Sequence, residues 1–283
     1  MNEQELLDQE IEKAVKSVGI PSPPGILLEL EKEVKKDDPD FRKIEQLVAA
    51  DVGLSAMLLK TINSPLYGMR NKAATVRQAI SILGLSALTR LVTGLVVRTV
   101  LSPPGQISME RFWDVSAKIA VTSSYLAEQI PGMDKDEAYT FGLFQDCGIP
   151  VLMQKFPGYK ETLGLANQAA DRKFTDVEDE RHQTNHATVG YILTKSWNLP
   201  ATLSNAICFH HEYAMLSEPH ANLSVESQNL IALALLAEHI IQTNSGRPNS
   251  VEWKKAGPIA LNHLGLSDGE FDEIVADIKS MGE

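Results

Sequence analysis

The chain has 283 residues, 43% hydrophobic and 22% charged, so it can bury a core unaided as one large domain or two smaller ones. Its two cysteines, Cys147 and Cys208, have no Cys-x-x-Cys spacing, which excludes a disulfide framework and a cysteine zinc site. A net charge of −11 without a Lys/Arg-rich stripe excludes a nucleic-acid backbone as partner, because phosphate contacts need clustered cations.

In chain order, the N-terminal MNEQELLDQEIEKAV is acidic and amphipathic rather than basic then apolar. No apolar run approaches the roughly 20 residues of a membrane span, and a cytoplasmic protein with no membrane contact is expected. Helix-period patterns fill almost every long segment, and strand-like alternation is nearly absent, so the fold class is all-α. Asp51 caps a helix carrying Leu54, Met57, Leu58 and Ile62, and TVRQAISILGL repeats the stripe with Val76, Ile80 and Leu83. That second stripe is expected to pack against the C-terminal half. Ser102-Pro103-Pro104-Gly105 stops a helix ending near Val100, ahead of a new one near Phe112. This places a boundary between residues 1–104 and 105–283.

Polar residues then fall on inward stripes. In MDKDEAYTFGLFQDCG, Ala138, Phe141, Gly142 and Gln145 share a stripe, Asp146 sits beside it, and Gly148 is expected to end the helix. His186 shares a face with Val189, Gly190 and Leu193. Pro200 opens a helix on which Leu203, Ile207 and His210 are in register, with His211 flanking. After a loop from His211 to about Ser224, containing Pro219, Glu238 and His239 interrupt the apolar NLIALALLAEHII. Gly265 ends a helix, and Ser267 with Glu270 forms a capping box before Phe271, Ile274, Val275 and Ile278.

An Asp and several His on neighbouring helices are what an intermediate metal ion requires. From periodicity alone, histidines satisfied within the core are the commoner outcome for inward-facing rings.

Seven phrases in order resemble the HDOD (HD-related output domain) family over nearly the whole chain. They are PSPPGILLELEKEV, IEQLVAADVGLSAMLLKTINSPLYG, TVRQAISILGLSAL, FWDVSAKIAV, AYTFGLFQDCGIPVL, ERHQTNHATVGYILTKSWNLP and AICFHHEY. The resemblance implies an HD-domain-like helical bundle preceded by an N-terminal helical subdomain, in a bacterial signalling protein. It is also similar to HD and HD-GYP metal-dependent phosphohydrolases, whose helices supply His and Asp ligands. By that resemblance the first His position falls on Val115 and the His of the His-Asp pair is Gln145. Asp146, His186, His210 and His211 are kept, the last acidic position falls on Glu238, and no Gly-Tyr-Pro follows His211. Val has no lone pair and Gln is a poor ligand for transition metals, so a two-ion centre is not expected. The six polar residues are expected to form a vestigial pocket with no cofactor and no catalytic residue. In it Gln145 would hydrogen-bond His186 or His210, and no Lys/Arg cluster accompanies these segments. The expected function is a non-enzymatic regulatory module with a protein partner or a small-molecule ligand. The alternative is a metal-dependent phosphohydrolase acting on a nucleotide or cyclic dinucleotide.

Overall fold

The computed structural model describes residues 19–63, 72–102, 109–197, 199–217, 223–246 and 250–281. The amphipathic N-terminal stretch, Pro103 to Gly105 and Pro219 lie outside them. Among the described residues the regular structure is helical, with no strand. The chain divides into two compact units, one over residues 22–103 and one from residue 104 onward, to which Gly19, Ile20 and Pro21 also belong.

The N-terminal unit holds α1 (Gly25–Val34), α2 (Phe41–Ala49), α3 (Val52–Ile62) and α4 (Val76–Leu101). Asp40 and Asp51 cap α2 and α3 by accepting from backbone N–H groups of the first turn, and the Thr75 hydroxyl does the same for α4. Leu30, Ile44, Leu58, Ile62 and Leu88 form a core of this unit's own. Val76 and Ile80 are buried in it and Leu83 packs against it. Helices α2 and α3 of its own unit supply apolar surface to this second stripe. In length and composition α4 is apolar enough to cross a membrane, with a mean hydropathy of 1.9 over its most apolar stretch, against the expectation of no such run. Gly84, at φ +75°, breaks it in two.

The second unit contains α5 (Glu110–Gln129), α6 (Lys135–Phe144), α7 (Gly148–Lys155), α8 (Tyr159–Ala166), α9 (Phe174–His182), α10 (His186–Ser196) and α11 (Ala201–Phe209). The 3-10 turn Tyr213–Leu216 is followed by α12 (Val225–Asn244), α13 (Val251–His263) and α14 (Asp268–Met281). Helix α12 is apolar almost all round, with every residue from Leu230 to Ala237 buried, because α5, α6, α11 and α13 surround it. Trp197 is buried at the end of α10 and donates from its indole N–H to the Pro21 carbonyl at 2.9 Å. Pro200 caps α11, one position before the helix.

Candidate metal centre and its cavity

Three short segments meet inside the second unit. The turn between α6 and α7 supplies Asp146, the first turn of α10 supplies His186, and the end of α11 supplies His210 and His211. Gly148 accounts for the closeness of the first two. It opens α7 instead of ending α6, and a Cβ there would lie 2.1 Å from the His186 carbonyl oxygen. Only glycine lets this turn rest on the start of α10. On the other side Asn185 caps α10, its side chain accepting from the Thr188 N–H at 2.8 Å, which fixes where His186 enters the helix.

One ligand atom from each of Asp146, His186, His210 and His211 lies within 4.8 Å of the other three. His186 Nε2 is 3.0 Å from His210 Nε2 and 3.2 Å from His211 Nε2. Asp146 Oδ1 stands 3.3 Å from His186 Nε2 and 3.5 Å from His210 Nε2. The opposite ring nitrogens all face acceptors. His186 Nδ1–H donates to Glu178 Oε2 at 2.6 Å, His210 Nδ1–H to the Ile207 carbonyl at 2.7 Å, and His211 Nδ1–H to Glu252 Oε2 at 3.0 Å. With every Nδ1 a donor, a neutral ring keeps its lone pair on Nε2. Three such lone pairs aimed at one another repel unless a proton or a metal cation sits among them.

Two parallel chains hold the rings. The Tyr159 hydroxyl donates to Glu178, and the Tyr213 hydroxyl donates to Glu252 Oε2 at 2.7 Å. Glu252 also receives Lys255 Nζ at 2.8 Å, and the Phe174 ring stacks on His211 with 5.0 Å between centroids.

Burial pushes the Asp146 carboxyl up, but the hydrogen bonds and charges of His186 and His210 overcome it and hold the group well below the usual carboxylate range. Burial opposes charge on His186 as well, yet the charge of Glu178 and the bonds to both carboxylates raise it to about 10. Without an ion, therefore, His186 carries the proton that separates the lone pairs. Burial and the neighbouring His210 lower His211 to about 4. Glu238 is raised to about 8 by burial and by the Asp146 charge.

Gln145 donates its amide to Glu238 Oε1 rather than to His186 or His210. The reason is that Gln145 lies on the α6 side of the turn, facing α12, while Asp146 faces the rings. A cavity of about 440 Å³ reaches Asp146, His211, Glu238 and Glu252, and Val115 is on its wall. Arg111 and Lys118 of α5 are on its wall as well. The sequence shows no Lys/Arg cluster beside the histidine segments, and the fold brings these two cations of α5 to the same cavity. The expectation of a vestigial pocket rested on Val115 and Gln145, and the four remaining donors converge without either of them.

Sequence reading missed Glu178, Glu252, Tyr159, Tyr213 and the α5 cations. Glu178 stands among Asp176, Asp179 and Glu180, an acidic run that resembles a solvated face, yet it is fully buried.

The donor set fits one ion. Three imidazoles and a carboxylate suit a divalent transition metal, and hydrogen-bonded Nδ1 groups are the usual outer support of such ligands. By the resemblance to HD phosphohydrolases, Val115 and Gln145 take the places of further imidazoles, and the cluster among the described residues offers four donors for a single ion.

Among solved structures, a protein from Shewanella amazonensis provisionally named a phosphohydrolase is similar to this chain, with a TM-score of 0.70, 22% identity, and 98% of this chain and 95% of that one covered. An HDOD domain protein of unknown function from Geobacter sulfurreducens gives a TM-score of 0.70 at 21% identity, covering 97% and 95%. A curated protein from Treponema pallidum, itself uncharacterized, is 27% identical over 209 residues, or 71% of this chain, and the chain spans only 38% of its length. Residues 20–213 match the HDOD domain family, and with the helical bundle just described the chain belongs to that family.

Proposed function

We propose that this HDOD chain is a signalling module that binds one divalent transition-metal ion through Asp146, His186, His210 and His211 and uses the adjoining cavity to hold a ligand without hydrolysing it. The observation that carries the reading is the convergence of three Nε2 atoms on one carboxylate, with an acceptor behind every ring. Histidines kept only to fill a core have no need to confront their lone pairs. When bound, the ion supplies a Lewis-acid site for an oxygen ligand. Around it the chain's own residues orient the rings, and Phe174 closes one face of His211. The non-hydrolytic part rests on Val115 and Gln145, which leave a second set of donors incomplete, and on Gln145 being engaged by Glu238.

A second reading, hydrolysis of a phosphate ester at the single ion, is favoured by Arg111 and Lys118 on the same cavity. The two are separated by one experiment. Untagged protein loaded with zinc, manganese, iron or nickel and then desalted is expected to retain one equivalent of one metal, and Asp146→Asn much less. The loaded protein is expected to leave p-nitrophenyl phosphate and bis-p-nitrophenyl phosphate intact. No retained metal in the wild type would defeat the metal reading, and turnover abolished by Asp146→Asn would replace ligand holding with hydrolysis.

A further inference from the structure

The connection between α8 and α9, residues 167–173, is exposed except at Ala169, yet its fastenings converge on one of the four ligands. Lys255 Nζ donates to the Arg172 carbonyl at 2.6 Å and to Glu252 Oε1 at 2.8 Å. One ammonium thus joins this strap to the carboxylate that receives the His211 Nδ1–H. Lys173 Nζ donates to Glu212 Oε1 at 2.7 Å, on the residue next to His211. Phe174, directly after the strap, lies on the His211 ring with only 9° between the two planes. The strap does not need these long-range ties to define its path. Its own Gln168 and Ala169 N–H groups donate to the Leu165 and Ala166 carbonyls, the Lys173 N–H donates to Asp176, and Arg172 pairs with Glu180. Behind His186 and His210 stand the fully buried Glu178 and a carbonyl of α11 itself. Among the described residues, His211 is therefore the ring whose support extends to an exposed segment.

We propose that residues 167–173 are the strap through which occupancy of the metal site reaches the protein surface: held down when an ion sits on His211, and released when it leaves. This rests on the metal reading of the site. A ring that gives its Nε2 lone pair to a cation becomes a stronger donor at Nδ1, and outer partners and ligand are tuned together in this way. At His211 the stronger bond fixes Glu252, Glu252 fixes the ammonium of Lys255, and Lys255 fixes the strap at Arg172. Without the ion the ring donates more weakly, and the ties loosen together. Such coupling is reciprocal. Whatever holds the strap down tightens ion binding by the same factor as the ion tightens the strap.

Trypsin reads the strap directly, because Arg172 and Lys173 are both exposed on it. The untagged full-length protein is digested briefly with zinc and with chelator, and cleavage elsewhere in the chain serves as the reference for protease activity. Zinc is expected to slow cleavage after Arg172 and Lys173 by about fivefold or more. Cleavage tracks the open population as long as opening and closing are fast. Lys173→Gln removes one tie and none of the four ligands. It is expected to lose zinc protection at Arg172 and to bind zinc more weakly by about the same factor, read by competition with a chromophoric chelator. Lys173→Arg, which keeps the ion pair with Glu212, is expected to restore both. A tie of purely structural value would speed cleavage of Lys173→Gln equally with and without zinc and leave its zinc affinity unchanged, and that result overturns the proposal. A wild type that binds zinc but is cut in the strap at the same rate with and without it also overturns the proposal, while the metal reading stands. A wild type that binds no zinc defeats the metal reading and the role of the strap with it.

Discussion

At the level of single residues, the ring orientation is decided by what each Nδ1 meets. His186 is the most constrained of the three, with Glu178 on one nitrogen and Asp146, His210 and His211 around the other. Replacing Glu178 by Gln keeps an oxygen that accepts from Nδ1 but removes the charge that makes the ring a strong donor to metal. The affinity of the full-length protein for zinc is expected to fall about tenfold to a hundredfold, read by competition with a chromophoric chelator, while the helical circular dichroism is kept. An unchanged zinc affinity would show that Glu178 does not set the ring. Asp146, His186 and His210 were legible in the sequence because each is polar on or beside an apolar helical stripe. Glu178 was not, since its neighbours Asp176, Asp179 and Glu180 hide its inward register, and Glu252 reaches His211 only through the fold, 41 residues away.

At the level of elements, helix ends were the most readable feature, because a cap is a contact between residues two or three apart. The Asp51 cap and the Ser267 box both stand as the spacing predicts, with Ser267 N–H donating to Glu270 Oε2 at 2.8 Å and the Glu270 N–H to Ser267 Oγ at 3.3 Å. The box matters because α14 has few other anchors in its first turns. Phe271, buried, stacks on Trp253 with 5.4 Å between centroids, and Trp253 stacks on His239 at 3.7 Å. Ser267→Ala is expected to destabilise α14 by about 1 kcal/mol, seen as faster amide hydrogen exchange in residues 268–279 with little change elsewhere. Exchange altered evenly over the whole chain would show that this helix has no local opening of its own. What the sequence concealed at this scale has a common cause. The opening of α7 at Gly148 depends on the start of α10, and the cover of the Val76, Ile80 and Leu83 stripe on α2 and α3, contacts distant in the chain that periodicity does not encode.

For the whole molecule, folding, proton binding and metal binding are tied together through the buried rings. In the ion-free protein His186, raised to about 10, keeps its proton across neutral pH, whereas His211, lowered to about 4, is already neutral there. Entry of the ion must therefore displace at least the proton on His186. Below about pH 10 each unit of pH should raise the apparent metal affinity by at least about tenfold. Stability follows with a definite sign. A raised His186 supports the ion-free fold fully below its ordinary value of 6.5, and this support is lost as pH climbs through about 10. The loaded fold loses nothing by that route, because its ring is already deprotonated, and at a free metal concentration of 100 times Kd it gains about 2.7 kcal/mol. The gap in melting temperature between protein with metal and protein with chelator should accordingly widen from pH 6 to pH 8, at fixed free metal. His186→Ala, which removes the displaced proton together with a ligand, should melt alike with and without metal at both pH values. A gap in the wild type that stayed constant or narrowed as pH rose would show that the ion, if it binds, does not take the place of the His186 proton.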